Sequence, residues 1–149
     1  MANEKLIVYY SRSGVSETLA KALQNKLGCP MDKLEYAEKD RVSFGTALLE
    51  AFRKSTAAVK GAVHNPGDYD TVIFITPIWA QSLATPIRSY MSEHKEAVKS
   101  YILLATCGKS GLPETIKDAA AVLGKEPSAA EYYRSSHVAK GVYNLEQFL

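Results

Sequence analysis

LIVYYSRSGVSET, from Leu6 to Thr18, is the stretch on which the fold turns. Its first five residues are dense in β-branched and aromatic side chains with no polar alternation, which predicts a strand buried on both faces. Next comes a turn of small hydroxyl residues around Gly14, and then Val15, Leu19, Leu23 and Leu27, which share one helical face at steps of four. Gly28 stops that helix. The unit is therefore strand, tight turn, helix.

Two more compact apolar runs, TVIFIT (Thr71 to Thr76) and YILLAT (Tyr101 to Thr106), predict further central strands. Weaker strand patterns span Met31 to Tyr36 and Ala129 to Arg134. Helical spacing recurs at Leu48, Leu49 and Phe52, at Ile87, Tyr90 and Met91, and at Ile116, Ala119, Ala120 and Leu123, the last group stopped by Gly124. Residues Asn144 to Leu149 read as a short helix, and Ser55 to Asp68 as a connection whose Asn65, Pro66 and Gly67 mark a turn. Strands and helices alternating in this way predict an α/β fold, a parallel sheet covered by helices on both faces.

The length of 149 residues predicts one domain over 1–149. Eighteen basic and sixteen acidic residues leave a net charge of +2, so the overall field recommends neither nucleic acid nor an anionic membrane as partner. No basic stretch precedes a long apolar run at the N-terminus, and no apolar run is long enough to span a bilayer, so membrane insertion is not expected and the cytoplasm is. Cys29 and Cys107 are too few for a disulfide framework and read as free thiols. His64, His94 and His137 share no metal-ligand spacing and read as structural or exposed.

In a doubly wound sheet the ligand sits beyond the carboxyl ends of the strands, so the loops after the three strong strands are the candidate site. The first, SRSGVS, places hydroxyls at a helix N-terminus, where unpaired amides and a partial positive charge suit a phosphate. Serines and glycine also cap and turn chains without any ligand, so this loop alone leaves both readings open. Glu17 suits the helix dipole but would repel a phosphate placed too close. No G-x-x-x-x-G-K-[ST] or G-x-G-x-x-G run follows the first strand. A phosphatase loop of Cys, five residues and Arg fails because Pro113 stands where arginine is required.

The loop SRSGVS resembles the T-x-T-G-x-T phosphate loop of flavodoxins, with serine at each hydroxyl position. The stretch DYDTVIFITPIWAQSLATPIRSYM, Asp68 to Met91, is similar to the Y-D-x-I-x-x-x-x-P-[IV]-W segment of the same family and its following helix. TCGKSG, Thr106 to Gly111, follows the fourth strand, where that family places the second wall of its flavin site. The resemblance runs from Lys5 to about Gly124. It implies a flavodoxin-like three-layer αβα sandwich with five parallel strands in the order 2-1-3-4-5, the arrangement for which flavodoxin is the standard illustration.

It also implies flavin mononucleotide (FMN) as cofactor. By resemblance Ser11, Ser13 and Ser16 offer hydroxyls to the phosphate, while Arg12, Gly14 and Val15 contribute mainly through the backbone. Thr76, Pro77, Ile78, Trp79 and Ala80 form the loop against the ring, with Trp79, the only tryptophan, in the loop rather than on a strand. As an isolated residue Trp79 also reads as a plug at the sheet edge. Thr106, Cys107, Gly108 and Lys109 line the pyrimidine edge.

The flavin would supply the redox chemistry, so no catalytic acid or base and no metal is expected. A backbone carbonyl between Ile78 and Gln81 would accept a hydrogen bond from the reduced ring and favour single-electron steps. The expected role is electron transfer to a redox partner protein or a small-molecule acceptor. Alternatives are a flavin-dependent reductase of a quinone, tetrapyrrole or similar acceptor, and a flavin-free binding or regulatory module. Electron-carrying flavodoxins are usually strongly acidic and this chain is slightly basic, which puts the usual partners in doubt. A phospho-receiver is disfavoured because Ser11 and Thr76 stand where that site needs acids.

Overall fold

In the computed structural model, which describes residues 4–36, 59–79, 82–107, 111–141 and 143–148, the opening run becomes β1 (Lys5–Tyr9) and the apolar stripe becomes α1 (Val15–Leu27). The chain continues through β2 (Met31–Lys33), β3 (Glu35–Tyr36), β4 (Val59–Lys60), β5 (Thr71–Trp79), β6 (Ser82–Leu83) and α2 (Thr85–His94). It ends with β7 (Tyr101–Cys107), α3 (Leu112–Leu123), β8 (Ala129–Arg134) and α4 (Ser135–Ala139). Single 3-10 turns lie at Pro66–Asp68 and Glu146–Phe148.

Five strands pair in the order β2-β1-β5-β7-β8, all parallel, which is the expected 2-1-3-4-5 arrangement. The missing polar alternation has its cause here. Leu6 and Val8 enter one core with Phe74, Leu103 and the inner faces of α2 and α3. Ile7 and Tyr9 enter the other with Ile73, Leu104, Leu19 and Leu23 of α1 and Val138 of α4. Burying Leu19 and Leu23 contributes roughly 1.5–3 kcal/mol each, which fixes α1 against the sheet. Gly28 closes α1 in the left-handed conformation, its N–H bonding Gln24 O at 2.7 Å. Among the described residues no helix is long and apolar enough to cross a membrane.

The Met31–Tyr36 run is two strands rather than one. Leu34 N–H still bonds Tyr9 O at 2.8 Å, after which the chain leaves the sheet and Glu35–Tyr36 pairs antiparallel with Val59–Lys60. The connection before β5 thus contains a short strand, and it is tied to the sheet. Asp32, its side chain fully buried, accepts the N–H groups of Val63 and His64 at 3.1 and 3.0 Å and faces His64 Nδ1 at 2.6 Å. His64 is therefore structural. The helix expected around Leu48, Leu49 and Phe52 lies outside the described residues.

Candidate functional site

The switch point of this strand order lies between the carboxyl ends of β1 and β5. Leaving β1, the chain makes a turn closed by Gly14 N–H donating to Ser11 Oγ at 3.0 Å. Gly14 has φ +96°, a conformation that L side chains rarely adopt, and a Cβ there would meet nothing within 4 Å. Its glycine answers a backbone demand, not crowding. The first intrahelical bond of α1 is Thr18 N–H to Gly14 O at 3.0 Å, so the amides of Val15, Ser16 and Glu17 stand ahead of the helical ladder.

The second wall is a hairpin. Beyond Ile75, where its pairing with β1 ends, β5 runs on through Pro77 and Ile78 to Trp79 and returns antiparallel as β6, with Ile78 opposite Leu83 and Trp79 opposite Ser82. This corrects the placement of Trp79 in a loop. The indole is only 5% exposed and meets Tyr10 edge-to-face, centroids 5.5 Å apart, and Tyr10 meets Tyr36 in the same way. Trp79 is thus a core residue that also borders the site. Thr76 serves the hairpin: its hydroxyl donates to Pro77 O at 2.8 Å and accepts from Ala84 N–H at 3.2 Å.

The third wall is the end of β7. Ser16 Oγ and Thr106 Oγ1 lie 2.9 Å apart, both residues almost fully buried, joining the first turn to the third across ninety residues of chain. One hydroxyl proton is used between them, which leaves the other for a further acceptor. Tyr132 on β8 donates its hydroxyl to Cys107 O at 3.2 Å.

These walls enclose one cavity of about 600 Å³, lined by Ser11, Arg12, Ser13, Val15, Ser16, Pro77, Ile78, Trp79, Thr106, Cys107 and Ser135. That volume suits a cofactor-sized ligand. Ten of the expected residues meet there. Gly14 shapes the turn without lining the cavity, Thr76 stands behind the hairpin, and Ala80, Gly108 and Lys109 lie outside the described residues. Ser135 was not expected. It arrives because Arg134 is in register with Cys107, which places the first residue of α4 at the same sheet end.

One end of the cavity is chemically an anion site: hydroxyls of Ser11 and Ser13, leading amides of α1, and the permanent charge of Arg12. The other end is apolar. Glu17 does not oppose an anion with an unpaired charge, because it bonds Lys33 and Lys21, each at 3.0 Å. Hydrogen bonding from Lys33 first, then Lys21, holds its carboxyl below the usual range. Lys33 is raised in turn, chiefly by Glu17. Among the described residues no three histidine, cysteine or acidic side chains are grouped to hold a metal.

Residues 4–127 match the family model described as Flavodoxin. Among solved structures, the chain is similar to a flavoprotein in complex with FMN from Lactobacillus acidophilus NCFM, with TM-score 0.76 and 18% identity over 93% of this chain and 98% of that one. It is also similar to a protein classed as a flavoprotein from Bacteroides eggerthii DSM 20697, at TM-score 0.72 and 19% identity over 93% and 95% of the two chains. A third, classed likewise, from Bacteroides uniformis ATCC 8492, gives TM-score 0.71 and 20% identity over 95% and 99%. At such identities these likenesses speak to the fold. No curated protein matches the sequence significantly.

Proposed function

Because this chain belongs to the flavodoxin family, we propose that it holds FMN in the cavity at the carboxyl ends of β1, β5 and β7 and serves as an electron-transfer protein. The observation that carries this reading is the convergence of a phosphate-type donor set and an apolar wall on one cavity from three separated loops. The donors fit the group. Ser11, Ser13 and the leading amides of α1 would hold the phosphate, and Pro77, Ile78, Trp79 and Cys107 would border the ring.

When bound, the flavin supplies the redox chemistry. The residues of this chain bind, orient and desolvate it. The phosphate end works through hydroxyls and amides, with Arg12 as the added charge, so binding depends more on geometry than on net charge. The ring end is walled by side chains with little surface left open, Trp79 and Ile78 both being under one-tenth exposed. Such a wall excludes water and, among its described residues, carries no carboxylate or imidazole beside the ring, which suits transfer of electrons better than chemistry on a bound substrate.

The electrons would pass to a redox partner protein or a small-molecule acceptor. Titration with FMN and with riboflavin, followed by stopped-flow oxidation of the reduced protein, tests this. The expected result is FMN binding tighter than riboflavin by tenfold or more, with an oxidation rate linear in acceptor concentration. A rate that saturates with a quinone would assign a reductase instead, and no flavin binding at all would leave a flavin-free module.

A further inference from the structure

Beneath the apolar wall, Arg88 of α2 and Asp118 of α3 form an ion pair with each side chain 3% exposed. Arg88 Nε and Nη1 have no hydrogen-bond partner among the described residues. A buried pair with such unsatisfied donors is a poor stabilising device, since apolar residues of similar volume commonly match or exceed it. What the pair does supply is a fixed acceptor. Asp118 Oδ2 takes the N–H of Leu83 at 3.1 Å as well as the guanidinium.

Leu83 is the residue opposite Ile78 in the hairpin. Its neighbour Ala84 is held on the other side by Thr76. The returning strand is therefore pinned twice, to its own outgoing strand and to α3. Through the β5–β6 pairing, the anchor at Leu83 fixes Ile78 and Trp79, which border the cavity.

We propose that Asp118, held in place by Arg88, is a positioning residue that tethers the β5–β6 hairpin to α3 and so sets the ring-facing wall of the cavity. This deepens the flavin reading and rests on it for its consequence, whereas the tether itself is a property of the cofactor-free chain. A carboxylate accepting an amide N–H is roughly twice as strong as a neutral bond. Replacing the pair by apolar groups removes the tether while sparing the core.

The test compares the wild type with R88M/D118L and R88M/D118N. Three readouts are taken: amide hydrogen exchange at Leu83 without cofactor, the unfolding midpoint, and affinity for FMN and riboflavin. In R88M/D118L the orphaned Leu83 N–H offsets what removal of the buried pair returns, so the midpoint should stay near that of the wild type while Leu83 exchanges about tenfold faster or more. FMN and riboflavin should weaken by one common factor, about tenfold, because the ring wall and not the phosphate end is disturbed. In R88M/D118N the amide oxygen still accepts the Leu83 N–H and most of the loss should be recovered.

Unchanged exchange at Leu83 in folded R88M/D118L overturns the proposal, as does affinity that falls only in step with the midpoint in both variants. If R88M/D118L does not fold, R88M/D118N decides alone: a Leu83 amide still protected supports the tether, and one that exchanges freely overturns it. Faster Leu83 exchange in R88M/D118L, from a wild type that binds no flavin, would support the tether and remove the flavin reading. Flavin binding and Leu83 exchange both indifferent to R88M/D118L would do the reverse.

Discussion

Replacing Ser16 by alanine and Thr106 by valine, singly and together, probes the bond that joins the first and third walls. The two hydroxyls meet at 2.9 Å with both residues almost fully buried. A neutral buried hydrogen bond contributes about 0.5–1.5 kcal/mol net, and an orphaned buried hydroxyl adds a desolvation penalty of about 1–3 kcal/mol. Each single variant should therefore lose about 2 kcal/mol, since each strands the other hydroxyl. The double variant strands neither and should lose only the bond itself, about 1 kcal/mol rather than the additive 4, for a coupling of about 3 kcal/mol. Urea unfolding of the four cofactor-free proteins, with equal slopes, measures this directly. Additivity within about 0.3 kcal/mol would refute the reasoning, because groups that do not touch show no coupling.

Acid should act through Glu17. Its folded carboxyl lies below the 4.5 of an unperturbed glutamate, so its contribution is complete above that value and disappears as pH falls through the lower folded pKa. Thermal melts from about pH 6 to 3 should show a shallower loss for Glu17→Gln than for wild type; identical profiles would discount the Lys33 and Lys21 pairs. Gly61→Ala should destabilise far more than Gly14→Ala. Both have positive φ, but a Cβ at Gly61 would stand 1.9 Å from the Lys33 carbonyl oxygen, while at Gly14 it meets open space. Denaturation midpoints in the reverse order would contradict this. Asp32→Ala should cost about 3 kcal/mol, because the amides of Val63 and His64 lose a charged acceptor. A loss under about 0.5 kcal/mol by chemical denaturation would show that the buried carboxylate is not the tie.

The parallel sheet was legible because its central strands are buried twice over. Leu6, Ile7, Val8 and Tyr9 feed alternate cores, and a run with no polar face has few other ways to fold. Elements of two residues were not legible, since no periodicity exists over Val59–Lys60 or Ser82–Leu83. The break at Leu34 is a tertiary event, set by where β1 stops offering carbonyls and by the Asp32 tie to Val63 and His64.

Pro77 made the end of β5 look like a loop, because proline cannot donate to a ladder. The structure tolerates it because β1 pairing has ended by Ile75, while β7 continues alongside to Thr106. That one misplaced boundary also moved Trp79 out of the core. The phosphate end was more readable, since hydroxyls, glycine and a helix start are chemistry that local sequence carries on its face. The engagement of Ser16 with Thr106 depends on residues far apart in the chain and no local pattern announces it. Ser135 could have been found by carrying the search for loops at carboxyl strand ends through to the weakest strand, since it directly follows β8.

A crystal structure of the protein grown with FMN tests the central claim most directly. The account predicts the phosphate on the amides and hydroxyls of residues 11 to 16 and the ring bordered by Pro77, Ile78 and Trp79 on one side and Thr106 and Cys107 on the other. A cofactor bound elsewhere, or a phosphate held away from the start of α1, would contradict it.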